Sequence, residues 1–102
     1  MALLKFDDFV FDSERFQLAC HGEPLALRPK ALKLLHLLIE NRHRVVPKAE
    51  IFSSIWGSNY ARDHLLFQLI SELRKPPFNA TYVRTLPNEG YQWNVSTANV
   101  SN

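Results

Sequence analysis

Between Pro29 and Asn41 the sequence is almost wholly apolar: Ala31, Leu32, Leu34, Leu35, Leu37, Leu38 and Ile39 leave only Lys30, Lys33, His36 and Glu40 as polar positions. Those four recur at spacings of three, three and four, which is one narrow stripe along a helix. A helix this apolar must be buried over most of its circumference. In a chain of 102 residues it is therefore the core around which the rest is arranged. Proline suits a first helical turn, where its missing N–H has no partner to lose, and Asn41 can end the helix. The spacing predicts a helix over 29–41 whose leucines are structural.

The residues before it alternate instead. Leu4 and Phe6, Phe9 and Phe11, Phe16 and Leu18, and Leu25 and Leu27 each keep an apolar period of two, with breaks at Asp7-Asp8, at Asp12-Ser13-Glu14 and at His21-Gly22-Glu23-Pro24. This reads as a small antiparallel meander. After a short extended link, Arg44-Val45-Val46, a second helix is expected over 47–56, with Ile51, Phe52, Ile55 and Trp56 on one side and Gly57-Ser58-Asn59 closing it. A third is expected from about Arg62 to Lys75, with Leu66, Leu69, Ile70 and Leu73 as its apolar seam and Pro76-Pro77 as its stop. A hairpin follows, Thr81–Leu86 and Tyr91–Ser96, joined by Pro87-Asn88-Glu89-Gly90. Residues 1–96 thus form one α+β domain, and 97–102 are expected as a polar tail or the start of a linker.

Several function classes drop out. The single cysteine, Cys20, excludes an internal disulfide, suits a reducing cytoplasm and leaves no zinc pattern. The first residues do not resemble a signal peptide, and no run approaches the roughly 20 apolar residues of a membrane span. The sequons at Asn79, Asn94 and Asn99 then read as chance. His21, His36, His43 and His64 have no ligand spacing, Asp7, Asp8 and Asp12 sit at turns, and Ser53 and Ser54 lie in a helix without a nucleophile elbow. No cofactor, metal site or catalytic group is expected. Charge is uneven: residues 1–27 hold two basic against five acidic groups, and residues 28–102 hold ten against five. A polyanion partner would face the second part.

The expected order is strands, helix, helix, short turn, helix, hairpin. Two helices joined by about five residues with a glycine make a helix-turn-helix, whose second helix enters the major groove of DNA, and the hairpin after it is a wing. The residues also resemble a known family. Leu66-Phe67-Gln68-Leu69-Ile70-Ser71-Glu72-Leu73-Arg74-Lys75 is similar to the recognition helix of the OmpR/PhoB-type winged helix, and Thr85-Leu86-Pro87-Asn88-Glu89-Gly90-Tyr91 to its wing. Phe9-Val-Phe-Asp12, Leu27-Arg-Pro-Lys30, Asn41, Val45-Val46 with Lys48, and Ile55-Trp56-Gly57 fit the remaining pattern, so the likeness covers about 3 to 95. The Pro-x-x-Gly-Tyr form and Gln68 resemble the ToxR/CadC branch.

The resemblance implies a bacterial transcription regulator that binds duplex DNA sequence-specifically. Trp56, His64, Arg74 and Thr85 match phosphate-holding positions, and Tyr91 matches the wing tyrosine, part core and part phosphate contact. Lys48, Arg62, Lys75, Arg84 and Asn88 are expected to add phosphate contacts. Gln68, Ser71 and Glu72 match base-facing positions, and Phe67 shares their face. The family usually has a basic or neutral residue at Glu72, and often basic ones at Asn88 and Glu89. With the exposed Phe67, these keep open an alternative, a winged helix that acts as a protein–protein interaction module. The implied partners are duplex DNA, a second copy on adjacent half-sites or a partner regulator, and RNA polymerase as a candidate. The domain is expected at the N-terminus of a regulator, in the cytoplasm, with any membrane anchor beyond residue 102.

Overall fold

The computed structural model describes residues 3–57 and 63–100. In chain order these form β1 (Leu3–Phe6), β2 (Phe9–Asp12), β3 (Gln17–Cys20), β4 (Glu23–Pro24), α1 (Pro29–Glu40), α2 (Lys48–Trp56), α3 (Asp63–Leu73), a 3-10 turn (Ala80–Tyr82), β5 (Val83–Leu86), β6 (Gly90–Trp93) and β7 (Ala98–Asn99). The expected helix closure at Ser58-Asn59 and helix start at Arg62 lie outside the described residues. The chain divides into two units, Met1–Arg28 with Val95–Asn102, and Pro29–Asn94.

The first unit is an antiparallel sheet in the order β4-β3-β2-β1-β7. Leu4 pairs with Phe11, Phe6 with Phe9 and Phe11 with Leu18, so all five apolar side chains fall on one face, and all five are buried. Phe6 and Phe9 stack with ring centres 5.0 Å apart. Asp7 (φ 48°) turns the first hairpin, and His21 and Gly22 (φ 53° and 80°) turn the third, both in the left-handed region that two-residue hairpins favour. The loop between β2 and β3 is closed by Asp12 Oδ1, which accepts from the N–H groups of Glu14 and Arg15 at 3.0 and 3.1 Å.

Three expectations fail here. Phe16 (φ 56°) belongs to a turn, not to a strand, so β3 starts at Gln17. Leu25 and Leu27 are not a strand: the ladder ends at Glu23–Pro24, because proline has no N–H to continue it, and one further bond runs from Leu25 N–H to Leu18 O at 2.8 Å. The stretch expected as a polar tail contains β7, in which Ala98 and Asn99 pair with Lys5 and Leu4.

In the second unit α1 buries Ala31, Leu34, Leu35, Leu38 and Ile39, and the expected polar stripe faces out. Each fully buried leucine contributes roughly 1.5–3 kcal/mol of transfer free energy. Asn41 Nδ2 and its backbone N–H both donate to Leu37 O, at 2.8 and 3.2 Å, and Arg42 Nη1 donates to Ile39 O at 2.9 Å, which satisfies carbonyls of the last turn. Pro47 precedes α2 as its N-cap, and Gly57 (φ 71°) ends it, donating to Ser53 O. α3 buries Leu66, Leu69, Ile70 and Leu73. It ends at Leu73 rather than Lys75, because the residue before a proline is pushed out of the helical region and the last amides, Arg74 and Lys75, close tighter turns onto Ser71 and Glu72.

The hairpin is shorter than expected at both ends. Asn79 Oδ1 accepts from the N–H and Oγ1 of Thr81 at 2.9 and 2.7 Å, which winds Ala80–Tyr82 into a 3-10 turn. Asn94 donates from its backbone to Tyr82 O and from Nδ2 to Thr81 O, which ends β6 at Trp93. Thr85 pairs with Tyr91 and Leu86 with Gly90, leaving Pro87, Asn88 and Glu89 as the loop. Proline sets φ at the first central position, Asn88 takes φ 65° at the second, and Glu89 N–H closes the turn on Leu86 O at 3.0 Å.

The second wing strand is then fixed, close to the loop, to the link before α2. Val46 N–H donates to Tyr91 O at 2.7 Å and Tyr91 N–H to Val46 O at 3.0 Å. Gly90 has φ 142°, and a Cβ there would stand 2.1 Å from Val46 O and 2.9 Å from Pro47 Cα. Both neighbours are backbone, so neither can swing aside. Gly90→Ala is expected to destabilise the fold by more than about 3 kcal/mol, combining forbidden backbone and overlap. A denaturant midpoint within experimental error of the wild type contradicts this.

Candidate nucleic-acid interface

α3 has two unlike faces. The seam Leu66, Leu69, Ile70 and Leu73 is buried, while His64, Phe67, Gln68 and Ser71 are exposed and Glu72 is half-buried. This follows from the helical repeat, because residues three and four apart share a side. Lys75, just past the helix end, is exposed. The four expected base-facing residues therefore come together on one surface, with Glu72 deeper than the rest.

α2 and the wing flank that surface. Lys48, at the start of α2, is exposed; its Nζ lies 5.4 Å from the centre of the Phe67 ring and 3.9 Å from Asp63 Oδ2. Between α3 and the wing runs a groove of about 370 Å³ that includes Lys48, Phe67, Pro87, Asn88, Gly90 and Tyr91. On the wing, Val83 opposes Trp93 and Thr85 opposes Tyr91 on one face, while Arg84 opposes Gln92 on the other. Arg84, Thr85 and Asn88 are exposed. Trp56 is half-buried and packs on Phe52 with ring centres 5.5 Å apart. Arg62 lies outside the described residues.

Two of the expected phosphate-holding side chains are built into the protein. Arg74 is half-buried, and its Nε and Nη2 donate to Val83 O at 3.2 and 2.7 Å, with Nη2 also donating to Thr85 Oγ1 at 2.7 Å. It joins the end of α3 to the first wing strand. Tyr91 is 4% exposed, and burial pushes its phenol above the ordinary tyrosine value, opposed by the charge of Arg74.

Sequence reasoning missed the fastenings. Arg44 forms a two-pronged pair with Glu50, at 2.9 and 2.5 Å, and also donates to Asn41 Oδ1 at 2.8 Å, tying the end of α1 to the first turn of α2. This hydrogen bond holds the Glu50 carboxyl below its usual value. Opposite charges six residues apart across a proline give no periodic signal. Asn79-Ala-Thr carried a readable one, since asparagine commonly bonds the backbone two residues on.

Residues 22–93 match the family model described as transcriptional regulatory protein, C terminal. The chain belongs to this family. It is 29% identical over 86 residues to the sensory transduction protein RegX3 of Mycolicibacterium smegmatis, covering 79% of this chain and 38% of that protein. It is 28% identical over 81 residues to the transcriptional activator CadC of Escherichia coli, covering 74% and 16%. The chain thus spans less than half the length of these curated relatives. Among solved structures, the Klebsiella pneumoniae RstA DNA-binding domain in complex with RstA box superposes with a TM-score of 0.77 at 25% identity, over 89% of this chain and 95% of that one. The E. coli CadC DNA-binding domain has the same fold, with a TM-score of 0.78 at 22% identity over 96% of each chain. The fold is the winged helix-turn-helix, as the motifs implied, and no helix among the described residues is long and apolar enough to cross a membrane.

Arg74→Ala removes all three bonds to the wing. Bonds from a charged donor are worth about 1.5–3 kcal/mol where they are shielded, and partial exposure puts this loss near the lower figure. Hydrogen exchange at the Arg84 and Leu86 amides, which face β6, should accelerate in step with the loss. Arg74→Lys should recover little, because an ammonium lacks the planar fork. Unchanged exchange in the alanine variant means that the latch is idle.

Proposed function

We propose that this domain binds duplex DNA sequence-specifically as part of a bacterial transcription regulator, with α3 in the major groove and the wing on the backbone or minor groove. The observation that carries the reading is the exposed face of α3, where Phe67, Gln68 and Ser71 stand together, with exposed cations at Lys48 on α2 and at Lys75 just past the helix end. Polar side chains on a groove-sized helix can read base edges, and the flanking cations hold phosphates. In this reading Gln68, Ser71, Phe67 and Glu72 face bases, and Lys48, His64, Lys75, Arg84, Thr85 and Asn88 meet the backbone, with Arg62 and the Trp56 indole as further contacts. Arg74 and Tyr91 act chiefly by positioning the wing. Family membership supports the same reading, since the family is one of transcriptional regulators, and so does RstA, solved with its own DNA box.

Few cations reach the backbone, so one copy binds weakly and useful affinity comes from two copies on adjacent half-sites. RNA polymerase is a further candidate partner, and a membrane anchor, where one exists, lies outside this domain. Binding should fall with salt at about 0.9 log units of affinity per log unit of salt for each phosphate neutralised.

Glu72 gives the discriminating test. As a carboxylate among bases it accepts from a cytosine N4 or repels phosphate. Titration of wild type and Glu72→Arg against a selected and a scrambled duplex, at two salt concentrations, should show the variant binding both more tightly, with preference altered at one base position by about 1–3 kcal/mol. If neither protein binds either duplex in a salt-dependent way, the DNA-binding reading fails and the interaction-module alternative takes its place.

A further inference from the structure

We propose that Phe67 reads a thymine through its C5 methyl group; the proposal rests on the DNA-binding reading above and names one element of its specificity. Phe67 is 51% exposed, although it lies on a helix whose own apolar seam, Leu66, Leu69, Ile70 and Leu73, is fully provided for. Nothing in the packing of α3 needs an aromatic ring on the other side. Apolar surface of this size left in water is a cost that contact with a partner recovers.

The surroundings select the partner. Gln68 and Ser71 share the face, and Lys48 Nζ stands over the ring at 5.4 Å. The ammonium stands over the ring and is drawn there by the ring quadrupole, which biases the ring toward one orientation, while half of the residue stays exposed along the groove. The ring is thus an apolar spot beside one exposed ammonium, which it shares with Asp63, in a groove that also holds Asn88 and Glu89 of the wing. A polyanion with an apolar group on its edge complements that combination better than a hydrocarbon-lined protein groove does.

Base chemistry then narrows the choice to one. A phenyl ring neither donates nor accepts a conventional hydrogen bond, so it is indifferent to the N7, O6, N4 and N6 groups that fill the major groove. Thymine alone presents a methyl group there. On this account Gln68 and Ser71 read polar edges, while Phe67 supplies contact that only a thymine repays.

The test uses the 102-residue chain and a duplex recovered by that chain from a randomised pool. Each thymine is replaced in turn by deoxyuridine, which removes the C5 methyl and nothing else. The expected result is one sensitive thymine per half-site, whose replacement weakens binding about fourfold, the worth of one buried carbon group. The slope of affinity against salt should not move, because no phosphate contact changes. Phe67→Ala, checked for folding by circular dichroism, should bind the thymine and deoxyuridine duplexes alike at that position while keeping the wild-type salt slope. If the chain binds DNA but no replacement matters, or if Phe67→Ala keeps the wild-type sensitivity, the thymine assignment is overturned and the DNA-binding reading stands. In that case the exposed ring is a protein contact. If no duplex is retained by the wild type, both readings fall together.

Discussion

Val46 and Tyr91 exchange two backbone hydrogen bonds, and the geometry of the interface depends on that exchange. Pro47, the next residue, caps α2, so the peptide that seats the wing also sets where α2 begins. Gly90 is what lets the strands approach this closely; a side chain there would stand inside the Val46 carbonyl. Two other fastenings complete the frame. Arg74 joins the end of α3 to β5, and Arg44 with Glu50 joins the end of α1 to α2. Val46 and Tyr91 are distant in sequence and the other two join neighbouring elements, each with a few polar contacts, while the apolar faces of the three helices supply much of the burial. Packing supplies the bulk of the stability, and these contacts set the register of wing against helix.

That division of labour explains what could be read from the sequence. Apolar spacing is a bulk signal, so all three helices, the hairpin and the sheet were legible, as was the exposed set Phe67, Gln68 and Ser71. The errors fall where one residue's local chemistry overrides the pattern. Phe16 matches a period of two by accident while its backbone sits at φ 56°. Thr81 looks like the start of a strand, but Asn79 captures its N–H first. Leu25 and Leu27 continue an alternation that Pro24 cannot hydrogen-bond onward. Ala98–Asn99 looks like a tail because its pairing partner, Leu4–Lys5, lies at the opposite end of the sequence. Arg74 was legible as a residue of importance, but an arginine at a helix end looks the same whether it holds phosphate or a neighbouring strand.

The inward turn of Arg74 changes the electrostatic account of the surface. With that guanidinium committed to Val83 and Thr85, the exposed cations described around α3 are Lys48, Lys75 and Arg84, set against Asp63, Glu72 and Glu89. Lys48 is further engaged with Asp63 and with the Phe67 ring. A surface of this kind has a weak general attraction for polyanion. In the proposed complex, little of the binding energy is available to an arbitrary sequence, because non-specific binding comes almost wholly from phosphate contacts.

Weak general attraction has a consequence for selectivity. What a regulator needs is the ratio between its own site and the far more numerous wrong ones, not absolute affinity. In the proposed complex, neutral readers such as Phe67, Gln68 and Ser71 repay only the base that matches them, and Glu72 opposes a backbone that comes too close. Removing cations lowers both terms of the ratio, but it lowers the non-specific term first, since that term has little else to rest on. The cost is that one domain alone holds its site loosely. A second copy on an adjacent half-site restores the affinity without restoring the non-specific term in equal measure, because an arbitrary sequence does not offer both half-sites at the required spacing. The acidic and apolar departures from the usual family pattern are therefore consistent with a DNA reader that depends on its partner copy, and they do not by themselves argue for a domain that has given up DNA.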